Sequence, residues 1–302
     1  MAPAASEASV TVLVVGGTGE SDDRDTRREV SGLLAGVTDV LDERFASRWV
    51  GYPASYGPAP ALGGISYEDS VSEGVRRLEQ VAVATPGPLM LIGYSQGAVV
   101  VRRYLARRAG AELSRILAAG FVADPHQPPG VVAGCEGWGV AGPGAPLPAG
   151  IAAHWVGARE DMICNAAGDS FVRDIADLTG QLTFSRLGRW LVSVWMVLVR
   201  NSFQNASRTG FGPRQWRRDV VRLISTAQEL RGYLPSIFAW RGLVVRNVRG
   251  GRHTSYAAEP YRRERITDPD TTGCAELARW LQVVATFGVG PAGTAQARSH
   301  AA

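Results

Sequence analysis

The chain has 302 residues, 45% hydrophobic and 20% charged, with 36 glycines and 17 prolines, a composition that excludes disorder, collagen-like repetition and a disulfide scaffold. No lysine occurs, so all 32 basic residues are arginine, which removes P-loop, protein-kinase and Schiff-base chemistry, each of which needs an amine side chain. The net charge of +4 comes from arginines spread through the chain, and the four histidines and three cysteines form no HxxxH, CxxC or mixed cluster, so neither nucleic-acid binding nor a metal or other cofactor is expected.

The first residues lack both a basic and an apolar leader segment, so no signal peptide is expected. Up to about residue 168, short β-branched runs alternate with helical segments, the pattern of a mostly parallel sheet covered by helices on both faces. Strands are expected at Val10–Val15, Arg48–Gly51, Leu89–Gly93, Ile116–Ala123 and Ile151–Val156. One helix begins after Ser66, whose spacing to Asp69 fits a capping box, and runs to about Ala84; another follows Ser95. The Gly/Pro-rich stretch from Pro128 to Gly150 reads as a long loop.

From residue 169 to 246 the texture turns helical, with segments at Phe171–Leu182, Leu187–Phe203 and Pro213–Leu230 and a short piece at Ile237–Trp240. The expected division is therefore a core of residues 1–168 and 247–290, a helical insertion of residues 169–246, and a tail of residues 291–302. The almost wholly apolar run between Arg189 and Arg200 holds too few residues to span a bilayer: ten helical residues reach about 15 Å against roughly 30 Å of hydrocarbon. It reads first as a buried packing helix and second as a wall or lid holding a lipid chain.

Gly93-Tyr94-Ser95-Gln96-Gly97 matches G-x-S-x-G, in which a serine on a tight strand-to-helix turn lifts its hydroxyl into a cleft. The pattern is weak alone, but a buried-strand run precedes it and small residues follow. Such a nucleophile needs an acid and then a histidine later in the chain. His154 falls inside an expected strand, His126 comes too soon and His300 lies in the tail. His253, in a glycine-hinged loop, is left as the base. For the acid the choice is Asp161, after the second strand beyond the nucleophile, or Asp124, after the first, with Asp169 and Glu160 as lesser candidates. Oxyanion donors are expected at the N–H groups of Gln96 and Thr18, the latter with its hydroxyl as a further donor, in the Gly16–Glu20 loop. That loop does not complete a dinucleotide-binding motif, since Asp22 stands where the last glycine would be.

With those residues assembled, the chain resembles the cutinase-like α/β-hydrolases, most closely the mycobacteriophage lysin B enzymes. The pieces that carry the resemblance are Gly-Gly-Thr-Gly-Glu after the first strand, Gly51-Tyr52-Pro53-Ala54, the Gly-Tyr-Ser-Gln-Gly elbow, Ala123-Asp124-Pro125, Glu160-Asp161-Met162 and Arg252-His253-Thr254-Ser255-Tyr256. The elbow is shared with cutinases and with esterase domains of mycobacterial PE-PPE proteins; the helical insertion between acid and histidine favours lysin B. The resemblance implies a Ser95-Asp161-His253 triad and hydrolysis of the ester joining mycolic acids to arabinogalactan. It also implies action on envelope lipids after a wait in the host cytoplasm, with no obligate protein partner. A disulfide beside the acid, as in cutinases, would pair Cys164 with Cys135. The alternatives are a cellular or secreted cutinase-like esterase or lipase, and a catalytically silent lipid-binding relative.

Overall fold

The computed structural model describes residues 10–183, 186–200, 204, 212–240, 243–260 and 270–288. Five parallel strands form the central sheet in the order β2-β1-β3-β4-β5: β1 (Val10–Val15), β2 (Phe45–Trp49), β3 (Leu89–Tyr94), β4 (Ile116–Val122) and β5 (Ala152–Val156). Their apolar runs face both ways. In β1, Val10, Val12 and Val14 pack on one face and Leu13 and Val15 on the other, because side chains alternate across a strand. The first face is covered by α1 (Ala35–Thr38) and α8 (Gly273–Gly288), the second by α2 (Tyr67–Val83) and α3 (Gln96–Leu105); a short α4 (Gly110–Ser114) leads into β4. Both faces are therefore buried, as expected for a parallel sheet.

Local signals account for several boundaries. The Ser66 hydroxyl accepts the Asp69 N–H at 3.2 Å and donates to the Asp69 carboxylate at 2.8 Å, so α2 starts on a side-chain cap. The second strand is Phe45–Trp49 and not residues 48–51, since pairing with β1 sets Val10 against Phe45 and Val14 against Trp49. His154 lies in β5, where its ring stacks on Trp280 with centroids 5.1 Å apart.

Between β5 and the last helix come α5 (Phe171–Thr179), α6 (Leu187–Arg200) and α7 (Pro213–Tyr233). Two expectations fail here. Ile237–Trp240 is not helical: it is β6, paired antiparallel with β7 (Leu243–Arg246), because a four-residue β-branched and aromatic run just after Pro235 is too short to nucleate a helix but can pair with another of its kind. And α6 is no buried packing helix; none of its residues is buried. Residues 201–203 of the expected Leu187–Phe203 segment, His300 and the 291–302 tail lie outside the described residues.

Candidate active site

Ser95 sits where β3 turns into α3, at φ 53° and ψ −117°, a strained backbone that the fold must hold in place. Two glycines make the turn possible. A Cβ on Gly93 would lie 2.5 Å from the Gly97 carbonyl oxygen, and one on Gly97 would lie 2.2 Å from that of Val15. The strand, turn and helix therefore approach at a distance only glycine permits. Ser95 N–H donates to the Val122 carbonyl at 2.9 Å, which ties the elbow to β4.

The other two residues arrive from distant parts of the chain. Asp161 follows β5 and is fully buried. His253 lies on a single 3-10 turn, Arg252–Thr254, entered through Gly251 in the left-handed conformation at φ 76°. His253 Nε2 stands 3.0 Å from Ser95 Oγ and its Nδ1 stands 2.9 Å from Asp161 Oδ2. With the carboxylate accepting from Nδ1–H, Nε2 is left as the acceptor that faces the serine hydroxyl.

Three tyrosines fix this arrangement, and sequence reasoning gave none of them a role. The Tyr94 hydroxyl donates to the His253 carbonyl at 2.8 Å, and its ring lies 5.1 Å from the imidazole. Tyr233, at the end of α7, brings its ring to 5.4 Å from the other direction. The Tyr256 hydroxyl accepts from Ala158 N–H at 3.0 Å and donates to Asp161 Oδ2 at 2.7 Å. Tyr94 and Tyr256 stand inside the elbow and histidine motifs, so their position was visible though their partners were not.

Burial alone would push the Asp161 carboxyl up. The facing His253, the Tyr256 hydroxyl and the Ile163 N–H at 3.0 Å outweigh it and hold the pKa below the usual carboxylate value. The rival acid has different partners. Asp124, also fully buried, pairs with Arg102 Nη2 at 2.5 Å and accepts from Trp155 Nε1 at 3.1 Å and the His126 N–H at 2.9 Å. Glu160 is exposed, and Asp169 faces Arg222. Arg102 and Arg222 are accordingly buried ion-pair partners rather than solvated helix charges.

The Gly16–Glu20 loop lies beside the elbow. Glu20 pins it by accepting from Gly17 N–H and Leu33 N–H, both at 2.7 Å. The Thr18 hydroxyl donates to Gln96 Oε1 at 3.2 Å, and Gln96 Nε2 donates to the Ser55 carbonyl at 2.9 Å. The Thr18 hydroxyl is thus engaged in holding Gln96. The backbone N–H groups of Thr18 and Gln96 have no hydrogen-bond partner among the described residues.

Ser95, His253, Thr18 and Gln96 open onto a cleft of about 780 Å³. One wall is apolar and comes from the loop after β5 and from α5 and α6: Met162, Ile163, Val172, Ile175, Ala176 and Val197. Polar groups, among them Tyr67 and the Glu68–Arg103 ion pair at 2.6 Å, border another side. Near Asp161, Cys135 and Cys164 are both buried free thiols. Among the described residues no group of three His, Cys, Asp or Glu could hold a metal ion.

The fold is α/β, a five-stranded parallel sheet with Ser95 at the turn after β3, Asp161 after β5 and His253 before the last helix. The PE-PPE domain model matches residues 45–140, the stretch from β2 through the elbow to the loop beyond β4. No curated protein matches the chain. Among solved structures, a cutinase-like protein from Cryptococcus sp. is 18% identical, with 54% of this chain and 82% of that one covered and a TM-score of 0.37. An acetylxylan esterase is 20% identical over 62% of this chain and 97% of its own, at 0.39. The Trichoderma reesei cutinase, solved with a phosphonate inhibitor, is 20% identical over 63% and 76%, at 0.36.

Proposed function

We propose that the protein is a serine esterase with Ser95 as nucleophile, His253 as general base and Asp161 as the acid that orients it. The observation that carries this reading is the unbroken line of hydrogen bonds from Ser95 Oγ through His253 to Asp161, at 3.0 and 2.9 Å. His253 Nε2 takes the hydroxyl proton as Oγ attacks an ester carbonyl. Asp161 stabilises the imidazolium that results, and the imidazolium then protonates the departing alkoxide. Water, deprotonated by the same nitrogen, hydrolyses the acyl-enzyme and returns the serine.

The tetrahedral intermediates carry a negative oxygen. The N–H groups of Thr18 and Gln96, unpaired among the described residues, can receive it, and Gln96 opens α3, so the helix N-terminus favours the same charge. The apolar wall of the cleft suits an acyl chain. The finer substrate we propose is the ester between mycolic acids and arabinogalactan, cleaved when a phage releases itself through the mycobacterial envelope. Its support is the motif resemblance and a cleft roomy enough for a long chain. The match to the PE-PPE domain over residues 45–140 favours a second reading, an esterase of the mycobacterial cell itself acting on other acyl esters.

Ser95→Ala is expected to abolish hydrolysis of a short p-nitrophenyl ester with the circular dichroism spectrum unchanged; retained turnover would overturn the assignment. Mass spectrometry of lipid freed from purified cell walls separates the two substrates: mycolic acid supports the first, its absence with other fatty acids released supports the second.

A further inference from the structure

Helix α6 presents the wrong face to water. Toward the protein it turns Trp190, whose Nε1 donates to the Leu178 carbonyl at 2.8 Å, and Ser193 and Val197, which line the cleft. Toward solvent it turns Leu191, Val192, Trp195, Leu198 and Val199, all exposed, Trp195 to 65%. An ordinary surface helix carries charged residues on that side. Here the only charges from 187 to 200 are Arg189 and Arg200, near its two ends, with no acidic residue. The next helix repeats the composition: α7 holds five arginines against Asp219 and Glu229, and its Trp216 is 72% exposed.

An apolar stripe with an indole in it and cations at its ends fits the boundary between lipid headgroups and acyl chains. The helix lies along such a surface and does not cross it: fourteen residues reach about 21 Å against roughly 30 Å of hydrocarbon, and among the described residues no helix is long and apolar enough to span. A second copy of the chain is a poorer occupant. Two such helices brought together would each bring an arginine near either end and no carboxylate on the helix stretch to pair it.

We propose that the outer face of α6 docks the protein onto an anionic lipid surface. The wall that lines the cleft on one side is then the same helix that meets lipid on the other, and docked acyl chains lie one helix thickness from the cleft. Docking itself stands without the esterase reading; only its benefit for access to substrate rests on it.

The test uses the full chain carrying Ser95→Ala, so that turnover plays no part, sedimented with vesicles of equal parts phosphatidylcholine and phosphatidylglycerol. Pelleting with these vesicles, and much less with phosphatidylcholine alone, is expected. Leu191→Ser with Trp195→Ser should weaken partitioning by about tenfold or more, since two large apolar side chains no longer enter the interface. Arg189→Glu with Arg200→Glu should weaken it by a similar factor and remove its salt dependence. If the first pair fails to fold, the second alone decides. Failure of the parent to pellet, or equal pelleting by parent and variants, would overturn the proposal. So would light scattering that shows a dimer abolished by Trp195→Ser without vesicle binding, which would make a second copy the occupant.

Discussion

The Tyr256 hydroxyl donates to Asp161 Oδ2 at 2.7 Å, the same oxygen that faces His253. That carboxylate is thus oriented from two sides by residues only three positions apart in the chain. Tyr256→Phe leaves the ring in the core and removes one donor. We expect kcat to fall by about tenfold with KM little changed, as for other hydrogen-bond partners that orient a catalytic group. Steady-state kinetics on a p-nitrophenyl ester checks this; an unchanged kcat would mean that Tyr256 only fills space.

The two buried aspartates should separate cleanly. Asp161→Asn leaves His253 in the wrong tautomer, and a loss of about 10⁴ in kcat is expected with stability largely kept. Asp124→Asn leaves Arg102 buried beside a neutral amide, 2.5 Å from where its partner stood. This should cost about 3–5 kcal/mol of stability while the folded fraction still turns over. Thermal melts and kinetics on both variants distinguish the roles, and the reverse pattern would exchange them.

Backbone closeness at the elbow makes Gly97→Ala a sharp perturbation. The new methyl would meet the Val15 carbonyl oxygen at 2.2 Å, backbone that cannot rotate aside. We expect at least about 1–3 kcal/mol of destabilisation and loss of most activity as Ser95 shifts. Gly63→Ala, where a Cβ meets nothing within 4 Å, is the control and should leave both unchanged.

The Asp25 carboxyl gives a pH signature away from the site. Burial would raise its pKa, but Arg27, Ser21 and Trp49 donate to it and hold it well below its ordinary 3.8. A folded pKa below the unfolded one means stability that is complete above the unfolded value and lost as pH falls through the folded one. Below about pH 4 the wild-type melting temperature should therefore drop with acid, and Asp25→Asn should drop less over that range, from a lower starting point. Parallel curves for the two proteins would contradict it.

What could be read from the sequence divides along physical lines. Short-range signals were legible: the Ser66 cap, the glycine spacing that forces the turn at Ser95, and the alternation that made the sheet parallel. Chain order and elimination pointed to His253 and favoured Asp161, and the fold brings both of them to Ser95. What fixes those two residues was not legible, because the Tyr256–Asp161 and Tyr94–His253 bonds join residues 95 and 159 positions apart. Nor could composition tell which side of the run from Leu187 to Arg200 would be covered. Nine apolar residues and one serine between arginines read as core, and only the fold reveals an outer face left in water. Ile237–Trp240 is a related case: it becomes a strand only through pairing with Leu243–Arg246, a contact that no local signal in either run encodes.

The most direct test is to treat the purified protein with a fluorophosphonate and locate the adduct by peptide mass spectrometry. A single phosphonylated residue at Ser95, with labelling slowed by about a thousandfold or more in His253→Ala, is the expected result. No adduct on the native protein, or labelling of Ser95 at the same rate without the imidazole 3.0 Å away, would contradict an activated nucleophile there.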